Sequence, residues 1–403
     1  VAARFASVAQ VCGECALPSK SSRLNLLPPY LFARLDAKKA EAVKAGVDII
    51  DMGVGDPDLP SPNETVEALC AAARRSKYHR YPPYSGTREF RQACADWLRK
   101  RHGVSIDPDT EALALIGSKE GLAHLCLAVV NPGDVVLYPD PGYPVYRASA
   151  VLAGGEPFAM PLLGERGYVP DLSAVPQRIA ESASLMFLNY PNNPTGATAT
   201  PAFLNEVVGF ARANDIAVCH DAAYIDMVLE GQLQPCLLAT SEDKTNIIEF
   251  FSFSKTFNMT GWRIALAAGD RKMIAALGEV KSNLDSGVFV PIQAAAIEAI
   301  RHCEQFPAAT CAVYRERLEI FLPALGKAGI KAQRPRATFY VWAKVPGGLG
   351  SGAFAEQLLS KCAILVAPGI AFGSHGEGFV RFSLTLPTER VREAARRLSD
   401  TSL

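Results

Sequence analysis

This sequence lacks the features that mark a nucleic-acid-binding or membrane protein. Its 403 residues carry 41 Lys and Arg against 41 Asp and Glu, with no long run of either sign, so nothing suits a phosphate backbone or an anionic membrane surface. No apolar segment is long enough to span a bilayer, and residues 1–22 have neither a basic start with a sustained apolar stretch nor a convincing cleavage site. A cytoplasmic protein with small-molecule substrates is expected. Internal repeats, low-complexity tracts and flexible linkers are absent as well. So are the nucleotide fingerprints. Gly53-Val54-Gly55 is followed by Pro57 and Pro60 rather than by a helix whose N-terminus could seat a pyrophosphate. In Ile116-Gly117-Ser118-Lys119-Glu120-Gly121 the lysine precedes the second glycine, and the longer Walker spacing is missing. The ten cysteines are scattered, several inside apolar runs, as free buried thiols in a reducing compartment are. Cys12-Gly13-Glu14-Cys15 has metal or redox spacing, but no second pair follows it, so it reads as a chance pair in an N-terminal arm and no metal site is expected.

What is present is apolar material, 49% of the chain, over a length at which a single core usually stops growing. The expected division is an arm (1–22), a segment (23–60) joining the small domain, a large domain (61–305) and a small C-terminal domain (306–403). A helix over 33–45 and a strand over 48–52 precede the large domain. There, strands and helices alternate, which predicts an α/β fold with a mostly parallel sheet and helices on both faces. The predicted strands are 112–116, 135–138, 185–189, 216–220, 247–251 and 264–268. The remainder reads as a small α+β unit, with strands 338–343, 363–366 and 380–384, a helix over 352–361 and a terminal helix.

Chemistry concentrates where the apolar strands end. Lys255 follows one of them in Ser252-Phe253-Ser254-Lys255, and Arg263 lies a few residues on. An amine that can form a Schiff base, beside hydroxyls and a guanidinium that suit a phosphate, points to pyridoxal 5'-phosphate (PLP). That cofactor needs an anion at its pyridinium nitrogen, and Asp221 closes the strand Ile216-Ala217-Val218-Cys219-His220. Tyr224 on the same loop is a donor for the phenolic oxygen, and so is Asn193 in Asn189-Tyr190-Pro191-Asn192-Asn193-Pro194-Thr195-Gly196. Ser118 and Lys119 open a helix, whose free N–H groups make a phosphate seat. Tyr143, after Pro139-Asp140-Pro141-Gly142, has a ring to lay on the pyridine. Taken singly, each has a plainer use: a turn cap for Asp221, core packing for Tyr143 and Tyr224, turn geometry for the Asn-Pro segment.

Ser-x-Ser-Lys with Arg263 downstream, Asn-Pro-Thr-Gly, and Asp221 with Tyr224 occur in an order that resembles the class I/II PLP-dependent aminotransferases of fold type I, from about Leu26 to the C-terminus. The resemblance implies that Lys255 holds PLP as a Schiff base and shuttles the substrate's Cα proton. It implies Asp221 at the pyridinium, Asn193 and Tyr224 at the phenolic oxygen, Tyr143 on the ring, and Ser118, Lys119, Ser252, Ser254 and Arg263 around the phosphate. It further implies a homodimer with shared sites, in which Tyr81 reaches the partner subunit's phosphate. Arg381 grips the substrate α-carboxylate, with Asn193 and the Gly55 backbone beside it.

More narrowly, Leu27-Pro28-Pro29-Tyr30-Leu31-Phe32, Gly53-Val54-Gly55-Asp56-Pro57-Asp58-Leu59-Pro60, Tyr81-Pro82-Pro83-Tyr84 and Lys281-Ser282-Asn283-Leu284-Asp285-Ser286-Gly287 resemble bacterial LL-diaminopimelate aminotransferases. That resemblance places Tyr30 at the substrate of the neighbouring subunit. It has one departure: Tyr84 stands where the plant-like branch has an acid that helps hold the distal ammonium. Three alternatives stay open or are disfavoured on residues. An aminotransferase of broader specificity (aspartate, alanine or aromatic substrates) and a PLP-dependent C–S lyase share this lysine and fold. A PLP-sensing regulator needs a DNA-binding head, for which residues 1–22 are too short and too weakly basic.

Overall fold

The computed structural model describes residues 21–27 and 33–401. The Cys12/Cys15 pair and Tyr30 lie outside the described residues. Helix Ala33–Lys44 leads into a two-residue strand, β1 (Ile50–Asp51). Seven strands then build the larger sheet: β2 (Ala112–Leu115), β3 (Val135–Asp140), β4 (Glu156–Pro161), β5 (Ala183–Leu188), β6 (Ala217–Asp221), β7 (Ile247–Ser252) and β8 (Ala265–Gly269). Their order is β2-β8-β7-β6-β5-β3-β4. Pairs from β7 to β4 are parallel, and β8 runs antiparallel to both of its neighbours, β7 and β2. This is the expected α/β architecture with a mostly parallel sheet.

Every residue of β2, β7 and β8 is buried, as a sheet covered on both faces requires. The period of two then sorts side chains between two cores. Phe251 joins Phe90, Leu98, Leu204 and Val207 on one face, while Phe250 joins Leu122, Leu125, Tyr146 and Leu277 on the other. Each such buried apolar side chain contributes about 1.5–3 kcal/mol before entropy is counted. Strand β4 was not expected, because Pro157 and Pro161 break the pattern. It pairs only with β3, at the sheet edge, where the missing N–H groups cost no ladder bond.

The remaining strands are β9 (Lys331–Ala332), β10 (Tyr340–Lys344), β11 (Ile364–Leu365), β12 (Ala367–Pro368) and β13 (Phe379–Ser383). Four of them form an antiparallel sheet in the order β12-β13-β10-β9, and β11 pairs parallel with β1. Leu318, Phe321, Phe354, Leu358, Val391 and Leu398 from three helices pack with Val341 and Phe382 in its core. Ile50 and Met52 are buried there too, as are Tyr224, Met227 and Leu229 from the loop after β6. That loop thus crosses from the end of β6 to the second core, and a cleft forms between the two sheets. Among the described residues no helix is long and apolar enough to cross a membrane. The eight described cysteines are free thiols, all buried except Cys70.

Candidate active site

A cavity of about 550 Å³ opens beyond the carboxyl ends of β5, β6 and β7. Twelve of the residues singled out in the sequence line it: Gly55, Ser118, Lys119, Tyr143, Asn193, Asp221, Tyr224, Ser252, Ser254, Lys255, Arg263 and Arg381. Tyr81 does not; it is 87% exposed on the surface.

Lys255 is presented by a single helical turn, Phe253–Thr256, that starts where β7 ends. Ser252 caps this turn, its Oγ accepting from the Ser254 N–H at 3.3 Å. Lys255 Nζ donates to Gly55 O at 3.0 Å and lies 5.6 Å from the Phe339 ring centre. Burial, aided by the Arg381 and Arg263 guanidiniums, lowers its pKa to about 8 against the pull of Asp56 and Asp221. About a tenth of the amine is therefore neutral at pH 7 and more above it, far more than an ordinary lysine offers a nucleophilic or proton-carrying role.

Asp221 ends β6 in full burial. One carboxylate oxygen, Oδ2, accepts from the Tyr146 hydroxyl at 2.8 Å, and its carbonyl accepts from Asn189 Nδ2 at 2.8 Å. The other oxygen, Oδ1, is buried without a partner. Burial raises this carboxyl's pKa, opposed by the Tyr146 hydrogen bond, the His220 ring, the Ala223 backbone N–H and the charge of Lys255. An orphaned buried acceptor is costly, and a cationic ring N–H is a donor that would satisfy it.

At the other end of the cavity, Gly117 adopts φ +78° before helix Ser118–Val129. A Cβ there would sit 2.1 Å from Arg263 Nη2, so only glycine lets the guanidinium approach the helix N-terminus. Ser118 Oγ is buried without a partner beside it. A helix N-terminus, a guanidinium and an unpartnered hydroxyl together make an anion seat. An amine, an orphaned carboxylate oxygen and this seat in one cavity fit the reactive carbonyl, ring nitrogen and phosphate of PLP.

The opposite wall is built on β13. Arg381 donates to Asn193 Oδ1 at 2.8 Å and to Gly53 O at 2.6 Å. Its guanidinium carbon lies 4.1 Å from the Tyr340 ring centre and 4.7 Å from that of Phe372, and its Nε has no partner. A guanidinium packed against two rings and tied by two acceptors is held in place for a carboxylate. Asp140 fixes the segment after Phe372, accepting from the Ser374 N–H at 3.1 Å and the His375 N–H at 3.0 Å.

Four contributors escaped the sequence reading: Tyr146, Asn189, Tyr340 and Phe372. The Tyr340 hydroxyl lies 3.0 Å from that of Tyr224. No sequence signal marked it: Tyr340 becomes a diagonal neighbour of Arg381 only through the β10–β13 register, in which Trp342 faces that arginine. Tyr340 also explains Gly55, where a Cβ would come within 2.0 Å of its hydroxyl oxygen. Gly55→Ala is therefore expected to lower kcat/KM by about tenfold or more by displacing Tyr340 from Arg381. Steady-state kinetics with a melting curve alongside checks this; an unchanged kcat/KM would contradict it.

Known proteins match this chain over almost its whole length. The sequence model of the family "Aminotransferase class I and II" covers residues 47–398. LL-diaminopimelate aminotransferase from Gloeobacter violaceus is 50% identical over 380 residues, which is 94% of this chain and 97% of that protein. The protein of the same name from Moorella thermoacetica is 48% identical over 379 residues, with the same two coverages of 94% and 97%. Among solved structures, substrate-bound BacF from Bacillus subtilis superposes with a TM-score of 0.91 at 38% identity, over 95% of this chain and 98% of that one. From this match and the cavity's residues together, the chain belongs to the class I and II aminotransferases, PLP-dependent transaminases of fold type I.

Proposed function

We propose that this protein binds PLP at Lys255 and transfers the amino group of LL-2,6-diaminopimelate to 2-oxoglutarate, or runs the same exchange in reverse. The oxo product would cyclise to tetrahydrodipicolinate. The observation that carries this reading is that relatives named for this activity are 48–50% identical over 94–95% of the chain.

When bound, PLP supplies a carbonyl for the amino group and an electron sink for the charge left at Cα. The protein's own residues do the rest. Arg381 takes the substrate α-carboxylate on its guanidinium, whose direction Asn193 Oδ1 and Gly53 O set, with the Gly55 backbone beside that carboxylate. Lys255 Nζ would take the Cα proton and return it two atoms along, across the amino nitrogen. Asp221 Oδ1 would accept from the ring N–H, with Tyr146 holding that carboxylate by its other oxygen. Asn193 and Tyr224 would serve the phenolic oxygen, Tyr143 the ring face, and Ser118, Lys119, Ser252, Ser254 and Arg263 the phosphate. Both amino donor and keto acceptor carry an α-carboxylate, so one site can serve both halves of a ping-pong exchange.

The reading includes a cytoplasmic homodimer with shared sites, to which Tyr81 and Tyr30 contribute from the partner, and the division into domains at residues 61–305 and 306–403. The high exposure of Tyr81 supports a partner-facing role. Broader specificity is the second reading, favoured by Tyr84, which is 51% exposed and offers no charge for a distal ammonium.

The test is a coupled assay of LL-diaminopimelate with 2-oxoglutarate beside aspartate, alanine and an aromatic amino acid. The expected kcat/KM for LL-diaminopimelate exceeds the others by about tenfold or more. Turnover of the others without it would end the narrow reading. Pyruvate and ammonia formed without an acceptor would indicate a lyase.

A further inference from the structure

We infer that Lys281, acting with Glu120 and Asp285, is a positioning residue for the phosphate seat: a buried ammonium held by two partly buried acids fixes the Ile116–Ser118 turn against the loop of Pro83 to Gly86. The inference rests on the PLP reading for what occupies the seat. Lys281 lies in helix Arg271–Leu284 with its side chain wholly buried. Nothing in the proposed chemistry uses it, and it does not line the cavity. A lysine is kept in such a place only when its ammonium is paired, and here both of its partners reach onward to backbone.

Lys281 Nζ donates to Glu120 Oε1 at 3.0 Å and to Asp285 Oδ2 at 2.8 Å. Glu120 uses its other oxygen to accept from the Ile116 N–H at 2.9 Å, two residues before Ser118. His124 Nδ1 stands 2.5 Å from Glu120 Oε1. Asp285 Oδ1 accepts from the Gly287 N–H at 2.7 Å. Gly287, at φ +80°, sits where a Cβ would come 3.0 Å from Pro83 O. Pro83 O accepts from the Gly86 N–H at 2.9 Å, and Ser85 O accepts from the Ala114 N–H at 3.0 Å.

The contacts close a ring from Ala114 in β2, through Ile116, Glu120, Lys281, Asp285 and Gly287, to the loop and back to Ala114. Glu120 takes up the Ile116 N–H, which pins the turn that carries Gly117 and Ser118. Without the ammonium, two partly buried carboxylates would face each other and Glu120 would turn away. The turn would then lose its register with Arg263.

Three variants test this: Lys281→Met, Glu120→Gln, which leaves the Lys281 ammonium and the Ile116 N–H competing for one acceptor oxygen, and the two combined, which keeps the volume and gives that oxygen back to the Ile116 N–H. Equilibrium binding of PLP, and of inorganic phosphate to the PLP-free protein, is measured beside melting temperature and the amino-donor KM at saturating PLP. The expected result is a rise of about tenfold in both dissociation constants for each single variant with KM changed by less than about twofold, and recovery of most of that loss in the double variant. A merely structural role would lower the melting temperature without that split. If Lys281→Met fails to fold, Glu120→Gln decides. Folded single variants that bind PLP and phosphate within about twofold of the unaltered protein would overturn the inference. An unaltered protein that binds phosphate but not PLP would instead overturn the PLP reading, and one that binds neither would overturn both.

Discussion

Lys255→Ala is expected to abolish transamination, with kcat falling by about 10⁴-fold or more, and to remove the visible absorbance that PLP gives the protein. The fold should survive. Lys255 Nζ makes one hydrogen bond, to Gly55 O, and burial already opposes its charged form, so its loss removes chemistry and little stability. The same lowered pKa sets a pH dependence. The neutral amine is the reacting form, and its share rises as pH increases through about 8 rather than through the ordinary 10.5. Capture of PLP by the cofactor-free protein should therefore accelerate between pH 6.5 and 9 and level off above. Absorbance against time at each pH, with a melting curve of the alanine variant, checks both parts. Near-normal turnover in Lys255→Ala, or capture that still accelerates steeply at pH 10, would refute the assignment.

Asp221→Ala carries the second largest effect, a fall in kcat of about 10²–10³-fold, the usual range for losing one preorganised electrostatic partner in a closed site. Its unpartnered Oδ1 is a buried acceptor at the cavity wall that answers a ring N–H, and Tyr146 holds the other oxygen. Removing the carboxylate leaves the ring nitrogen without its anion and the Tyr146 hydroxyl without an acceptor. PLP should still bind, because amine and phosphate seat are intact. Single-turnover loss of absorbance on adding the amino donor, compared with PLP affinity, separates the two effects. A variant that loses affinity and rate together would assign Asp221 to binding rather than to the chemistry.

Much of this was legible because β6 and β7 are mostly apolar, and Asp221 and Lys255 stand at or just past their carboxyl ends. Ile247–Ser252 ends at the turn that carries Lys255, and Ala217–Asp221 ends on the carboxylate itself. The carboxyl end of a parallel strand is where an α/β sheet places ligands, so strand recognition was also site recognition. Strand β4 stayed hidden because its prolines are tolerated only at an edge, and edge position depends on pairing. Tyr146 and Tyr340 stayed hidden for another reason. An aromatic in an apolar run is ordinarily core filling, and their polar partners lie 75 and 116 residues away. Lys281 is subtler still, since one charged residue on an amphipathic helix looks solvated until its neighbours are known.

The reversed direction of β8 has a bearing on how this enzyme can vary. Ser252 at the end of β7 pairs with Ala265 at the start of β8, so the chain that leaves the sheet at Lys255 must re-enter it just past Arg263. That excursion works as a gauge: its two ends are bolted to adjacent strands, and a small molecule of invariant length would bridge the amine on one side and the guanidinium on the other. Adding or deleting a residue within it would mis-set the gauge, whereas the turn at Pro346–Gly348 lies outside the cavity and has no such measurement to keep. Changes of chain length have to be absorbed elsewhere in the molecule, so this stretch is held in its count as well as at Lys255 and Arg263.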